Sequence, residues 1–141
     1  MSSLYDFSKR GAVAGPDRDV CLFEELPDDM QQLLWDIVGE AGFDEGRLAG
    51  HSFKVEMLPI SNFPPMTLDE SDRGGEHVAL MIGAQLPPVV RVGSKWIDGR
   101  HRLAAGTRMK GRFVPTINLE EVGMLPSKVI SPYLGEIMFL A

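Results

Sequence analysis

Apolar residues recur at helical spacing between residues 27 and 42, and this stretch gives the clearest secondary-structure prediction in the chain. They lie three, four and seven positions apart and share one face: Met30, Leu33, Leu34, Ile37, Val38 and Ala41. This spacing predicts an N-terminal amphipathic α-helix over 27–42 that packs its apolar face on the core. Pro27 suits the first turn of such a helix, and Gly42 suits its end.

Farther along the chain, alternating or continuous apolar runs predict strands. Residues 51–58 place apolar side chains at alternate positions, which predicts a strand with one buried face. A continuous apolar run predicts a second strand at 87–92, followed by a turn and a short return strand at Trp96–Ile97. A further strand is predicted at 114–119, and we expect Pro115 at a sheet edge or strand start because proline donates no backbone hydrogen bond.

Two further segments are predicted to be helical. Residues 76–85 alternate at their centre, but their length and their place before Pro87 favour a helix. Small helix formers follow the return strand and predict a helix over about 100–110 that packs closely on the sheet. Gly111 is expected to end it.

Length and composition indicate one globular domain. The chain has 141 residues, of which 44% are hydrophobic, enough for one core. Its net charge of −6 makes an extended nucleic-acid contact unexpected and still permits a local basic pocket. A single cysteine leaves no internal disulfide, and the chain shows neither a signal peptide nor an apolar stretch of membrane-spanning length. We therefore expect a cytoplasmic protein without membrane contact.

One short stretch concentrates the candidate chemistry. An apolar run ends in a tight turn, and two arginines and a histidine follow, in the order Trp96, Ile97, Asp98, Gly99, Arg100, His101, Arg102. The pattern predicts a strand, a turn and the start of a helix. Unpaired amides and the helix dipole attract anions there, and a bound phosphate or carboxylate offsets the cost of placing arginines at that end. In the alternative interpretation Arg100 is solvated, and Arg102 pairs with Asp98 or with another carboxylate as a structural bridge.

This stretch and its flanks resemble the ParB/sulfiredoxin fold family. The resemblance rests on three segments in the family's order, namely Leu86–Val92, Trp96–Ala105 and Val114–Ile117, and covers about residues 52–120. It implies an α+β fold with a small mixed sheet and packed helices. It also implies a Gly-x-His-Arg loop that cradles the phosphates of ATP or CTP, formed here by Gly99, Arg100, His101 and Arg102.

Two departures narrow what the resemblance implies. Sulfiredoxins carry a cysteine where this chain has Arg100, so we expect no sulfinic-acid repair. About twenty residues follow Glu121, too few for the helix-turn-helix region of partition ParB proteins. We expect a single domain over 1–141, with an arm and helix at 1–50, the ParB/sulfiredoxin-like core at 51–122, and a tail at 123–141. The tail is expected to pack on the core or on a second copy in a homodimer.

The main functional hypothesis is binding of a nucleoside triphosphate, with hydrolysis or phosphoryl transfer as the reaction. Arg100, Arg102 and the Gly99 backbone would hold phosphate oxygens. His101 would donate a hydrogen bond to a phosphate or transfer a proton, and Asp98 would orient an arginine or help to hold Mg²⁺. Asp98 and His101 are therefore the candidate catalytic residues. Whether the site catalyses a reaction or only binds stays open at this level.

Other classes of function remain possible. In a non-enzymatic regulatory module the loop binds an anion or an acidic partner segment, and the helix bearing Trp35 docks a protein. A DNA nuclease ranks last, because it needs metal-binding carboxylates and a basic track along the surface. The three histidines, His51, His77 and His101, show no metal-ligand spacing, and we predict no structural metal site.

Overall fold

The computed structural model describes the chain at residues 5–6, 20–64, 85–86, 88–99, 103, 113–129 and 138–140. In this part the chain combines a 13-residue helix, α1 (Asp28–Glu40), with β-structure. The strands are β1 (Tyr5–Asp6), β2 (Val20–Leu22), β3 (Ser52–Pro59), β4 (Gln85–Leu86), β5 (Val89–Val92), β6 (Lys95–Asp98), β7 (Phe113–Asn118) and β8 (Met138–Phe139). The predicted α+β class is therefore confirmed.

Six strands form one mixed sheet in the order β2-β3-β7-β5-β6-β8. The β5–β7 pair is parallel, and the other four neighbouring pairs are antiparallel. Strands β1 and β4 pair separately as a two-stranded antiparallel sheet. Because β6 is antiparallel to β5, it ends at the edge of the sheet where β5 and β7 begin, and β5 lies between β6 and β7. The turn that carries the candidate site follows β6 directly at this edge.

Strand β3 shows why the alternating pattern was a sound guide. Phe53 and Val55 are buried, whereas Ser52 and Lys54 point to solvent. Val55 pairs with Ile117 of β7, and both belong to the hydrophobic core cluster. Successive side chains of a strand point to opposite faces, so this face of the sheet meets the core. The strand predicted at 51–58 is confirmed at Ser52–Pro59.

Helix α1 covers that face of the sheet. The helix lies within the predicted range 27–42, and most of its apolar stripe is buried, namely Met30, Leu33, Leu34, Ile37 and Val38. These side chains join one core cluster with Phe53 and Val55 of the sheet. The chain reverses at Gly42, whose φ of 83° is a backbone conformation that glycine adopts without strain. Burial of the stripe holds α1 in place, since Pro27 at its N-cap provides no side-chain hydrogen bond.

Two details of the secondary-structure predictions were wrong. Pro115 is the third residue of β7, which has β3 on one side and β5 on the other, so it lies neither at a sheet edge nor at the strand start. The parallel ladder to β5 begins one residue later, at Thr116–Val89, and proline is thereby kept out of that ladder. Gln85, the last residue of the helix predicted at 76–85, belongs instead to β4 and pairs with Asp6. Residues 76–84 lie outside the described residues.

The end of the chain contributes to the sheet. Met138 and Phe139 pair with Trp96 and Lys95 of β6, and the Leu140 amide donates to the Ser94 carbonyl oxygen at 2.8 Å. The Phe139 side chain stays 57% exposed. For Phe139, backbone pairing rather than side-chain burial therefore provides the attachment to the sheet.

Candidate anion-binding turn

Strand β6 delivers the chain to the candidate site from a buried position. The side chains of Trp96 and Ile97 are fully buried. The indole Nε1–H of Trp96 donates to the backbone carbonyl oxygen of Asp98 at 3.0 Å. The Phe63 ring meets the Trp96 ring edge-on, with 5.4 Å between centroids. The last residues before the turn are thus held both by the sheet and by an aromatic side chain.

Gly99 makes the turn itself. Its φ is 111°, a backbone conformation that residues other than glycine rarely adopt. The residue is also buried. The Leu103 amide donates to the Gly99 carbonyl oxygen at 2.9 Å, and Leu103 is helical. A hydrogen bond from an amide to the carbonyl four residues earlier has α-helical spacing. The end of β6 at Asp98 and the helical state of Leu103 are what the structure describes here, and the rest of the helix predicted over about 100–110 lies outside the described residues.

The predicted site residues divide into two groups. Asp98 and Gly99 lie where the sequence placed them, at the end of β6 and at the turn, and Asp98 is half-buried. Arg100, His101 and Arg102 lie outside the described residues. Their assignment as phosphate-binding residues, and that of His101 as catalytic, stays a prediction from their positions next to Gly99.

Trp96 is the residue of this site that the sequence reasoning missed. The periodicity predicted only that it belongs to the return strand. Its indole donor makes a specific contact with the turn, because a buried tryptophan N–H has to find an acceptor inside the protein. A tryptophan two residues ahead of an Asp-Gly turn is the signal that was available.

The opposite end of the β5–β6 hairpin is a separate polar cluster. The Asn118 side-chain oxygen accepts from the amides of Gly93 and Glu120, at 3.3 and 3.1 Å. The Lys95 ammonium donates to the Pro126 carbonyl oxygen. These hydrogen bonds give the polar groups partners within the protein. They also anchor the β5–β6 hairpin turn to the segment that follows β7.

His51 has a structural environment. Its Nε2 lies 3.1 Å from a Glu121 carboxylate oxygen, and its ring stands edge-on to Phe53 at 4.5 Å between centroids. The Lys54 amide donates to the same carboxylate at 3.1 Å. Within the described ranges, histidine, cysteine and acidic side chains form no group of three that could hold a metal ion.

Trp35 contributes to the core as well. It is half-buried and packs against the Phe23 ring, with 5.5 Å between the centroids. The solvent-facing side of α1 is polar and mostly acidic, formed by Asp28, Asp29, Gln32, Asp36, Gly39 and Glu40. Docking of a protein partner through Trp35 stays a prediction, and the exposed face offers charge rather than an apolar anchor.

Comparisons of the chain with protein-family models, with curated proteins and with solved structures find no match. The ParB/sulfiredoxin resemblance therefore stays a prediction from the three sequence segments. Across the described residues, no helix combines the length and the apolar character that a membrane crossing needs.

Proposed function

We propose that the turn at Gly99 binds the phosphates of a nucleoside triphosphate, ATP or CTP, with Arg100, His101 and Arg102 as the binding side chains. The observation that carries the proposal is the conformation of Gly99 between a buried strand and a helical residue. A glycine there lets an anion approach the backbone closely, and helical amides that lack an internal partner favour negative charge. The resemblance to ParB/sulfiredoxin-like proteins supplies the nucleotide as the ligand class.

The positive charges next to the turn support a phosphate over a neutral ligand. The chain carries a net charge of −6, so two arginines and a histidine in consecutive positions are a local reversal of its charge. Arginine presents paired donors that match phosphate oxygens, and phosphate contacts of this kind are strong. Bound Mg²⁺ would neutralise the remaining phosphate charge, with Asp98 as its protein ligand.

A reaction at this site would be hydrolysis or phosphoryl transfer. An attacking oxygen, from water or from an acceptor hydroxyl, forms a bond to the terminal phosphorus as the bond to the nucleoside diphosphate breaks. His101 takes the proton of the attacking group, and the arginines stabilise charge on the phosphoryl oxygens. Binding without turnover would define a regulatory module instead.

A binding titration tests the proposal. ATP and CTP are titrated by calorimetry with and without Mg²⁺, against the wild type, Arg102→Ala and the control Lys54→Ala. Lys54 is exposed on β3, so the control removes the same charge from a different surface. We expect saturable binding that Arg102→Ala weakens at least about tenfold, or about 1.4 kcal/mol, and that the control leaves within twofold. Equal affinities for the wild type and Arg102→Ala would contradict the proposal.

Product formation then separates an enzyme from a binding module. Asp98→Asn and His101→Ala are assayed for release of nucleoside diphosphate, together with their nucleotide affinity. In an enzyme, these changes reduce turnover by at least about a hundredfold, the usual contribution of a general acid or base. Binding by the wild type without any turnover assigns the site to the non-enzymatic class.

A further inference from the structure

We infer that Trp96 is a positioning residue: its indole N–H fixes the peptide between Asp98 and Gly99 in the orientation that phosphate binding at the turn requires. The inference takes its ligand, a phosphate, from the proposed function. The contact that it starts from is independent of that function: Trp96 Nε1 donates a hydrogen bond to the Asp98 carbonyl oxygen at 3.0 Å.

The indole has little freedom to point elsewhere. Trp96 has no exposed surface, and the Phe63 ring stands against it at a 79° interplanar angle. A buried N–H without an acceptor is strongly disfavoured. Rotation of the Asp98 carbonyl away from the indole would leave this donor unpaired, so the buried side chain holds the carbonyl in place.

Holding that carbonyl also sets the direction of the next amide. The described backbone has no cis peptide, and in a planar trans peptide the C=O and the following N–H point in opposite directions. The Gly99 N–H therefore points away from the Trp96 indole. It is one of the backbone donors that the proposed function assigns to a phosphate.

The residue at the turn explains why such a restraint is needed. Glycine can exchange positive and negative φ at little steric cost, so the peptide that precedes it rotates more easily than others. Gly99 stands at a φ of 111°. The indole hydrogen bond adds a side-chain restraint on this peptide to the pairing of Asp98 with Val90 in the sheet, and a preorganised donor costs less to order when the ligand binds.

The test removes the N–H and keeps the shape. Trp35→Phe leaves Trp96 as the only tryptophan, since the chain has two. Incorporation of β-(3-benzothienyl)alanine in this background replaces the indole N–H by sulfur with nearly the same ring volume. Phe63→Leu serves as a control that loosens the same packing and keeps the donor. Each protein is compared for ATP and CTP affinity, and for hydrogen exchange of the Leu103 amide, which donates to the Gly99 carbonyl.

We expect the isosteric replacement to weaken nucleotide binding at least about tenfold and to speed Leu103 exchange at least about tenfold. Amides of the β3–β7 ladder, such as that of Val55, should exchange at unchanged rates. Unchanged Leu103 exchange and unchanged affinity would overturn the inference, as would equal effects from Phe63→Leu. The two proposals can fail separately. If the unmodified protein binds no nucleotide, the proposed function is overturned. If the replacement still speeds Leu103 exchange in that case, the positioning of this peptide by Trp96 is supported.

Discussion

Arg91 on β5 reaches past the intervening strand β7 to Glu56 on β3. Its Nη2 lies 2.7 and 2.9 Å from the two Glu56 carboxylate oxygens, and its Nε lies 3.0 Å from one of them. Its Nη1 donates to the Gly93 carbonyl oxygen at 2.8 Å. One guanidinium thus connects β3 and β5, the two strands that flank β7, and also contacts the turn after β5. Both charged side chains are less than a third exposed.

A double-mutant cycle measures this relationship. Arg91→Met and Glu56→Gln are made singly and together, and their free energies of unfolding are measured with urea. We expect a coupling energy of about 1 to 2 kcal/mol, above that of exposed ion pairs, because the contact is two-pronged and partly buried. Additive effects of the two changes would show that the pair contributes nothing beyond its separate parts.

The hairpin turn depends on the absence of a side chain at Gly93. Its φ is 58°, and a Cβ there would lie 2.6 Å from Glu120 Oε1 and 2.8 Å from Pro126 Cγ. Gly42 is a matched control, because its φ is 83° and a Cβ would meet nothing within 4 Å. Gly42→Ala should cost about 1 kcal/mol from backbone strain alone, and Gly93→Ala about 2 to 3 kcal/mol.

The same measurement contains its own check. Glu120→Ala removes the nearer of the two obstacles and should recover part of the stability lost in Gly93→Ala. Equal losses in Gly93→Ala and Gly42→Ala would mean that the turn gives way without strain and that the close approach has no energetic weight.

Local periodicity was enough for the elements with a long one-sided face. Helix α1 buries five side chains of one face, and strand β3 buries Phe53 and Val55 at alternate positions, although Met57, the next residue on that face, is 39% exposed. Strands β1 and β4 have two residues each, too few for any pattern, and exist because their backbones pair. The interior place of Pro115 depends on the parallel pairing of β5 with β7, which joins segments that are distant along the chain.

At the candidate site the same division applies. The strand end and the turn at Gly99 could be predicted because Asp-Gly after an apolar run is a local signal. The hydrogen bond from Trp96 to Asp98 could not, since it depends on the side-chain torsions of a buried indole and on the Phe63 ring beside it. The choice of a nucleotide as the ligand rests on the family resemblance alone, because the pattern of apolar and charged residues does not identify a ligand.

The buried face of α1 should dominate the stability of the domain. Leu34 is fully buried in the core cluster, whereas Asp36 is exposed and accepts a hydrogen bond from Gln32 at 2.9 Å. We expect Leu34→Ala to lower the free energy of unfolding by about 2 to 5 kcal/mol, from lost burial and the cavity that remains. Asp36→Ala should change it by less than about 0.5 kcal/mol, as exposed helix pairs do. Urea unfolding of both variants makes the comparison, and a mild Leu34→Ala would indicate a core that collapses around the gap.

Gly99 itself links the stability of the turn to its proposed ligand. Gly99→Ala forces a side chain into a φ of 111° that only glycine adopts readily, at a cost of about 1 to 3 kcal/mol. This strain can lower the free energy of unfolding, displace the backbone of the turn, or do both. If the turn moves, the amides and side chains beside it no longer converge, and nucleotide affinity should fall at least about tenfold. Gly42→Ala provides the comparison, because it strains the backbone next to α1 and should leave affinity unchanged. A Gly99→Ala protein with wild-type affinity would show that the backbone of this turn does not hold the phosphate.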